Sequence, residues 1–311
     1  MSALSPALFL AASIRAATPL AYAALGELVA ERAGVINVGL EGAIIAGAFG
    51  AVVGAQMLGG VTAGFVAGLA SGVLLALIFA VFVVTLRADQ IITGTALSML
   101  GLGVTGALNV AVFGPVGAAL RAPTIGPIAI PGLHALPLVG SALFDQPLPT
   151  YVLYVLIPGL AWWLSRSMGG LVLRATGERA ETVRAVGISP NRVRWAAMLF
   201  GGAMGGMAGA TLALAQAGTF VDGMSAGRGY VAIAIVVLGR WSPLGTAAAA
   251  LLFGAASALQ FLAQATGSTL PYELSLAIPY VLALVALASF RGRGAAPAML
   301  GSPLEHHDGL P

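Results

Sequence analysis

Nine apolar stretches recur along this chain, at roughly 5–30, 35–56, 61–86, 92–113, 149–165, 196–218, 229–239, 244–265 and 274–290. Most approach the ~20 residues that carry a helix across ~30 Å of hydrocarbon. With 59% hydrophobic and only 8% charged residues, against about a quarter charged in an ordinary soluble domain, the apolar surplus is too large for one core. It has to face lipid. Backbone in lipid must satisfy its own hydrogen bonds, so the expected fold is all-α: a polytopic transmembrane bundle of about 8–10 spans, a single domain over residues 1–311.

Missing residue types exclude whole chemistries. Without Cys, disulfides, thiolate metal sites, iron–sulfur clusters and Cys nucleophiles are ruled out. There is no Lys either, so the phosphate-cradling loop G-x-x-x-x-G-K-[ST] is absent and the chain does not hydrolyse ATP through one. Of the three His, His306 and His307 sit in a polar tail, which argues against a His metal site or proton relay. A net charge of +3, with the Arg residues not gathered into a basic domain, speaks against nucleic-acid binding. No catalytic, cofactor or metal site is expected in this chain. Met1 to Leu10 carry no basic run, and Arg15 interrupts the first apolar stretch, so it reads as retained rather than as a cleaved signal. Arg15 and Pro19 leave open its division into an interfacial helix and a span.

Orientation follows from Arg placement. Residues 166–195 hold six of the 14 Arg, Arg87 occupies another short loop, and Arg291 and Arg293 follow the last stretch. The positive-inside rule makes all three sites cytoplasmic. Residues 114–149 hold seven of the 17 Pro and read as a long irregular extracytoplasmic loop, since Pro-rich chain cannot stay hydrogen-bonded in lipid. Three apolar stretches before Arg87 then put the N-terminus outside and the C-terminus in the cytoplasm.

Two stretches are interrupted. Val231–Gly239 lies between Gly227-Arg228-Gly229 and Gly239-Arg240-Trp241-Ser242-Pro243, leaving about 11 residues or roughly 16 Å of helix, too short to span. Gly34-Val35-Ile36-Asn37-Val38-Gly39-Leu40-Glu41-Gly42 breaks another apolar run with glycines, an Asn and a Glu. Paired Gly-interrupted segments in corresponding positions point to an internal pseudo-repeat with broken half-helices and a substrate path at its interface. Gly201, Gly205 and Gly209, with Gly202 and Gly206 beside them, form small-residue stripes suited to close helix packing.

Polar residues at membrane depth are the candidates for function. Glu27, Glu31 and Arg32 precede the first break, either as a boundary cluster in which Arg32 neutralises one Glu or as a latch for the broken helix. Asn37 and Glu41 are spaced i, i+4 and share a face if that stretch is helical. They offer bonds to a sugar hydroxyl or a base edge, or they cap freed backbone where the helix breaks. Gln216, Asp222, Arg228 and Tyr230 surround the second break, with Asp222 in an extracytoplasmic turn. Thr93, Thr95 and Asn109 are weaker candidates. The expected substrate path is Asn37, Glu41, Thr93, Gln216 and Tyr230.

In the loop Leu173–Pro190, a short charged helix between Gly177 and Gly187 is expected, closed by Gly187 and by Pro190 beyond it. Displaying Glu178, Glu181 and Arg184, it suits a groove on a soluble partner. The alternative, a solvated inside-positive loop, explains the Arg but not the glycine bracket.

Glu31-Arg32-Ala33-Gly34-Val35-Ile36-Asn37-Val38-Gly39-Leu40-Glu41-Gly42, Asp89-Gln90-Ile91-Ile92-Thr93-Gly94, Arg174-Ala175-Thr176-Gly177-Glu178 with Gly187-Ile188, Gly229-Tyr230-Val231-Ala232-Ile233-Ala234 and Gly239-Arg240-Trp241-Ser242-Pro243 carry a likeness over most of the chain. It resembles the inner-membrane permease subunits of bacterial ABC importers of the branched-chain amino acid, ribose and nucleoside superfamily, nearest to the nucleoside or simple-sugar branch. The family's cytoplasmic pattern runs R-A-x-G-E-N-P-x-A-A-x-x-x-G-I. Here Arg179-Ala180 replaces its Asn-Pro, and Thr182-Val183 its Ala pair.

The resemblance implies a second, related permease subunit, ATP-binding cassette ATPases on the cytoplasmic side, and a substrate-binding lipoprotein outside. ATP and Mg²⁺ would then belong to the ATPase, and Arg174, Gly177, Glu178, Glu181, Arg184 and Gly187 to its coupling site. Purine nucleosides are the first expectation for the substrate, other nucleosides the second and simple sugars the third. An ion-coupled secondary transporter, using Glu41 as its intramembrane carboxylate, is the rival reading. An intramembrane enzyme lacks a catalytic constellation.

Overall fold

The computed structural model describes residues 6–114, 122–134, 136, 139–265, 281, 285, 288 and 296–302. Most of the expected 274–290 span, Arg291, Arg293, His306 and His307 lie outside the described residues, as does part of the 114–149 loop.

The described chain is helical almost throughout. α1 runs Pro6–Arg32, α2 Leu40–Met57 and α3 Val61–Ala80, which continues as a π turn over Val81–Thr85. α4 spans Gln90–Phe113, α5 Gly140–Phe144, α6 Leu148–Arg166, α7 Met168–Glu178 and α8 Ala180–Ala185. α9 covers Pro190–Thr211 with a π turn at Leu212–Ala217, α10 Arg228–Leu238 and α11 Pro243–Ala265. Seven of these helices are long and apolar enough to cross a membrane, and α10 is a shorter apolar helix. The expected half-helix is therefore present at the length the glycines set.

Local chemistry fixes the ends. Asp89 caps α4 by accepting from the Ile91 and Ile92 amides at 2.9 and 2.8 Å. This satisfies donors that a helix start leaves open. Ser167 does the same for α7 through Gly170 at 3.0 Å, and Pro190 and Pro243 begin α9 and α11, where a missing amide costs nothing. The 114–149 loop is less irregular than expected. Ile128–Ala129 (β1) and Asp145–Gln146 (β2) pair antiparallel, and α5 lies between them. Arg15, which the sequence reading took as an interruption, sits inside α1 and donates to Gln146 Oε1 at 3.3 Å.

Burial sorts the helices into layers. In α1, α2 and α9 about two-thirds or more of the apolar window is buried (67%, 67% and 72%), against 28% in α4 and α6. The inner helices touch backbone to backbone. A Cβ on Gly47 of α2 would sit 2.5 Å from the Gly206 Cα of α9, and one on Gly68 of α3 2.8 Å from the Gly47 carbonyl oxygen. Gly72 of α3 meets the Gly202 carbonyl, and Gly209 meets that of Ile44. Small residues let lipid-embedded helices gain dispersion contacts where no hydrophobic drive exists between them. The α9 glycine stripes are packing surfaces.

Candidate functional site

The first break occupies residues 33–39. Gly34 turns the chain at φ +85°, a conformation that glycine adopts without strain. Three side chains meet the freed backbone. Gln90 Oε1 accepts from Ile36 N at 2.9 Å, Glu27 Oε1 accepts from Asn37 N at 2.9 Å, and Ser98 Oγ donates to the Val38 oxygen at 3.0 Å. Each such group left open in lipid costs several kcal/mol. These polar side chains are thus what satisfies the buried backbone of the connection between α1 and α2.

The second break follows α10. Arg240 and Trp241 take left-handed backbone, φ +55° and +52°, each costing of order 1–3 kcal/mol for a non-glycine residue. Packing partners hold them. Arg32 donates from Nε and Nη2 to the Trp241 carbonyl at 2.8 and 2.6 Å, and the Trp241 indole N–H donates to the Glu31 carboxylate. Arg32 thus spends its guanidinium on the strained turn of the other break, the arrangement that a latch for the broken helix calls for.

The two breaks also meet directly. Glu41, in the first turn of α2, accepts from Gly227 N at 2.8 Å and Gly229 N at 2.7 Å, so its carboxylate caps the start of α10. Negative charge at a helix N-terminus is the favourable placement. A Cβ on Gly229 would lie 2.5 Å from Glu41 N, which is why glycine stands there.

Other expectations change with the geometry. Asn37 and Glu41 share no helical face, because the chain is unwound at Asn37. Asn37 is 2% exposed, and its Oδ1 has no hydrogen-bond partner among the described residues. Tyr230 follows Gly229 and keeps 46% of its surface open, and the half-buried Thr93 adjoins Gly94, which packs on Val38 and Gly39. These residues gather around the breaks with Glu41. Gln216 does not: it lies in the π turn ending α9 and donates to the Arg15 carbonyl at 2.7 Å, near the loop that carries β2. Asp222 accepts from Asn109 at 3.2 Å, Arg228 donates to the Met224 and Ser225 carbonyls, and Thr95 bonds within α4.

The loop after α6 folds as two helices. The helix expected from Gly177 to Gly187 starts at Ala180 instead, because Arg179 adopts extended backbone and separates α7 from α8. Arg174, Gly177 and Glu178 belong to α7, and Glu181 and Arg184 to α8. Gly187 closes the element at φ +81°. Gly177 is no bracket: it packs so tightly on the Arg32 carbonyl that a Cβ has no room. Beyond α8, Val186 and Ile188 are 70% and 37% exposed beside the exposed Glu181 and Arg184.

Sequence reasoning passed over Gln90 and Ser98 as supports of the first break. Their signal was an uncompensated polar residue within reach of a predicted break. Segment 296–302 was missed altogether. Among the described residues no group of three or more His, Cys, Asp or Glu is placed to hold a metal.

Residues 9–287 match the family model described as branched-chain amino acid transport system / permease component. The chain is 34% identical over 176 residues to the nucleoside ABC transporter permease protein NupC of Lactococcus lactis, covering 56% of each chain. It is 33% identical over 181 residues to the guanosine ABC transporter permease protein NupQ of Bacillus subtilis, again over 56% of each. The chain thus spans about half the length of the curated relatives it matches. No solved structure matches it. With interrupted helices latched to one another and a family match over most of its length, the chain belongs to the permease-component family of branched-chain amino acid transport systems.

Proposed function

We propose that this chain is the transmembrane permease subunit of an ATP-binding cassette importer that moves nucleosides, purine nucleosides first, across the bacterial inner membrane. A second, related permease, an ATPase and an extracytoplasmic substrate-binding lipoprotein complete the assembly. One observation carries the reading: a continuous chain of contacts joins the exposed face of α8 to the broken helices. From α8 it passes to α7, from Gly177 to the Arg32 backbone, from Arg32 to Trp241 at the end of α10, and from the start of α10 to Glu41. An ATPase pressing on α8 and the Val186–Ile188 patch displaces that chain of contacts, and helix bundles rock to move the opening from outside to inside. Thr93 and Tyr230 line the route at the breaks, where an aromatic ring can stack on a base. Glu41 serves there as the cap of α10, with both oxygens engaged, which leaves the ion-coupled reading without its chosen carboxylate.

The test is uptake of labelled guanosine into proteoliposomes holding the whole assembly, with ATP supplied on the ATPase side. ATP-dependent uptake is expected. Reversing both charges of α8, Glu181→Arg with Arg184→Glu, should lower uptake by about ten-fold or more, the scale of losing a charged contact at a protein interface, with the amount in the membrane unchanged. Uptake that persists without ATP and collapses with an uncoupler overturns the reading.

A further inference from the structure

Segment 296–302 touches three separate parts of the fold: the end of α7, the first break and the start of α4. The Met299 amide donates to the Gly177 carbonyl at 2.8 Å, and the Ala298 amide to Glu178 Oε2 at 3.4 Å, which ties the segment to the end of α7. At the first break, a Cβ on Gly34 would lie 3.3 Å from Met299 Cβ, and one on Gly301 3.2 Å from Ile36 Cδ1. At α4, Gln90 Nε2 donates to the Ser302 carbonyl at 3.1 Å while its Oε1 accepts from Ile36 N at 2.9 Å. One 5%-exposed amide therefore holds the segment with one arm and the gate backbone with the other. Leu300 packs on the core around α1.

Taken together these contacts form a closed loop: α7, segment 296–302, Gln90, the 33–39 break, Arg32, and α7 again through Gly177. The α7 end has a second, independent attachment to the gate besides its direct contact with Arg32. Two attachments at different points resist rotation of the one element against the other, whereas a single contact can pivot.

We propose that segment 296–302 is a transmission strap and Gln90 its positioning residue: together they make displacement of the α7–α8 element move the α1–α2 break with it. The strap rests on the importer reading above and adds the parts that convert ATPase motion into gate motion. Its loss leaves the ATPase able to dock and to hydrolyse ATP, since the exposed face of α8 is untouched, but the stroke no longer reaches the gate in full.

The test is the ratio of nucleoside imported to ATP hydrolysed in the reconstituted assembly. Gln90→Glu keeps the acceptor for Ile36 and removes the donor to Ser302, replacing it with an oxygen facing a carbonyl. Met299→Pro removes the amide that donates to Gly177. Both should lower the ratio by about five-fold or more, the effect expected of residues along a coupling route, while the ATPase still co-purifies and hydrolyses ATP. An unchanged ratio in both single variants overturns the strap, and so does loss of ATPase co-purification, which would make the segment part of the docking surface. A wild-type assembly with no ATP-driven uptake overturns the importer reading instead.

Discussion

At the scale of single residues, the polar side chains around the two breaks divide by what they bond to. Glu41 is the sharpest case, with two backbone amides of α10 on its two oxygens. Glu41→Ala leaves both amides open, each costing about 1–3 kcal/mol when buried. The variant should lose several degrees of thermal stability in detergent, and Glu41→Gln, which keeps one good acceptor, about half as much. Equal losses in the two variants would show that the carboxylate is not acting as the cap. Asn37 remains in a different position: it sits in the break at 2% exposure with its amide oxygen unpartnered among the described residues, a buried acceptor that native structures rarely leave open.

Elements are where glycine decides. Gly206 of α9 has the Gly68 carbonyl where its Cβ would go, whereas Gly103 on α4 has nothing within 4 Å. Gly206→Ala should therefore destabilise by about 1–3 kcal/mol through overpacking, and Gly103→Ala should be neutral or stabilising by up to ~1 kcal/mol. Thermal unfolding of the two purified variants checks the contrast, which disappears if the α9 stripe is not a seam. The positions of α1–α4, α6 and α9–α11 were legible in the sequence because apolar length and Gly, Pro punctuation act locally. The half-helix α10 was legible for the same reason, its flanking glycines lying within a few residues of its ends. The fate of Glu41, Arg32 and Gln216 was not, because their partners lie from 186 to 209 residues away in sequence, at Gly227, Trp241 and Arg15. Spacing alone suggested that Glu41 shared a helical face with Asn37. Likewise Gly177 read as a bracket because its neighbour across space, the Arg32 carbonyl, left no trace in its own loop.

For the whole molecule, the alternation of α1 to α4 and α6 places the α2–α3 turn opposite the α7–α8 element. Leu58 in that turn and Val186 after α8 are 73% and 70% exposed, and the chain brings no Cys of its own. A membrane-impermeant thiol reagent applied to intact spheroplasts should label Leu58→Cys at once and Val186→Cys only after lysis. The opposite pattern would invert the orientation read from the Arg residues. Stiffness within this assembly is unevenly spread. Where α2, α3 and α9 meet through glycine, backbone lies on backbone with no layer of side chains between them to compress or slide. That block behaves as the frame of a door, and the yielding parts are those joined by hydrogen bonds and turns: the 33–39 break, the Arg240–Trp241 corner and the short span of α10. In the importer proposed above, the transport stroke would spend its motion there, and the frame would return unaltered to begin the next.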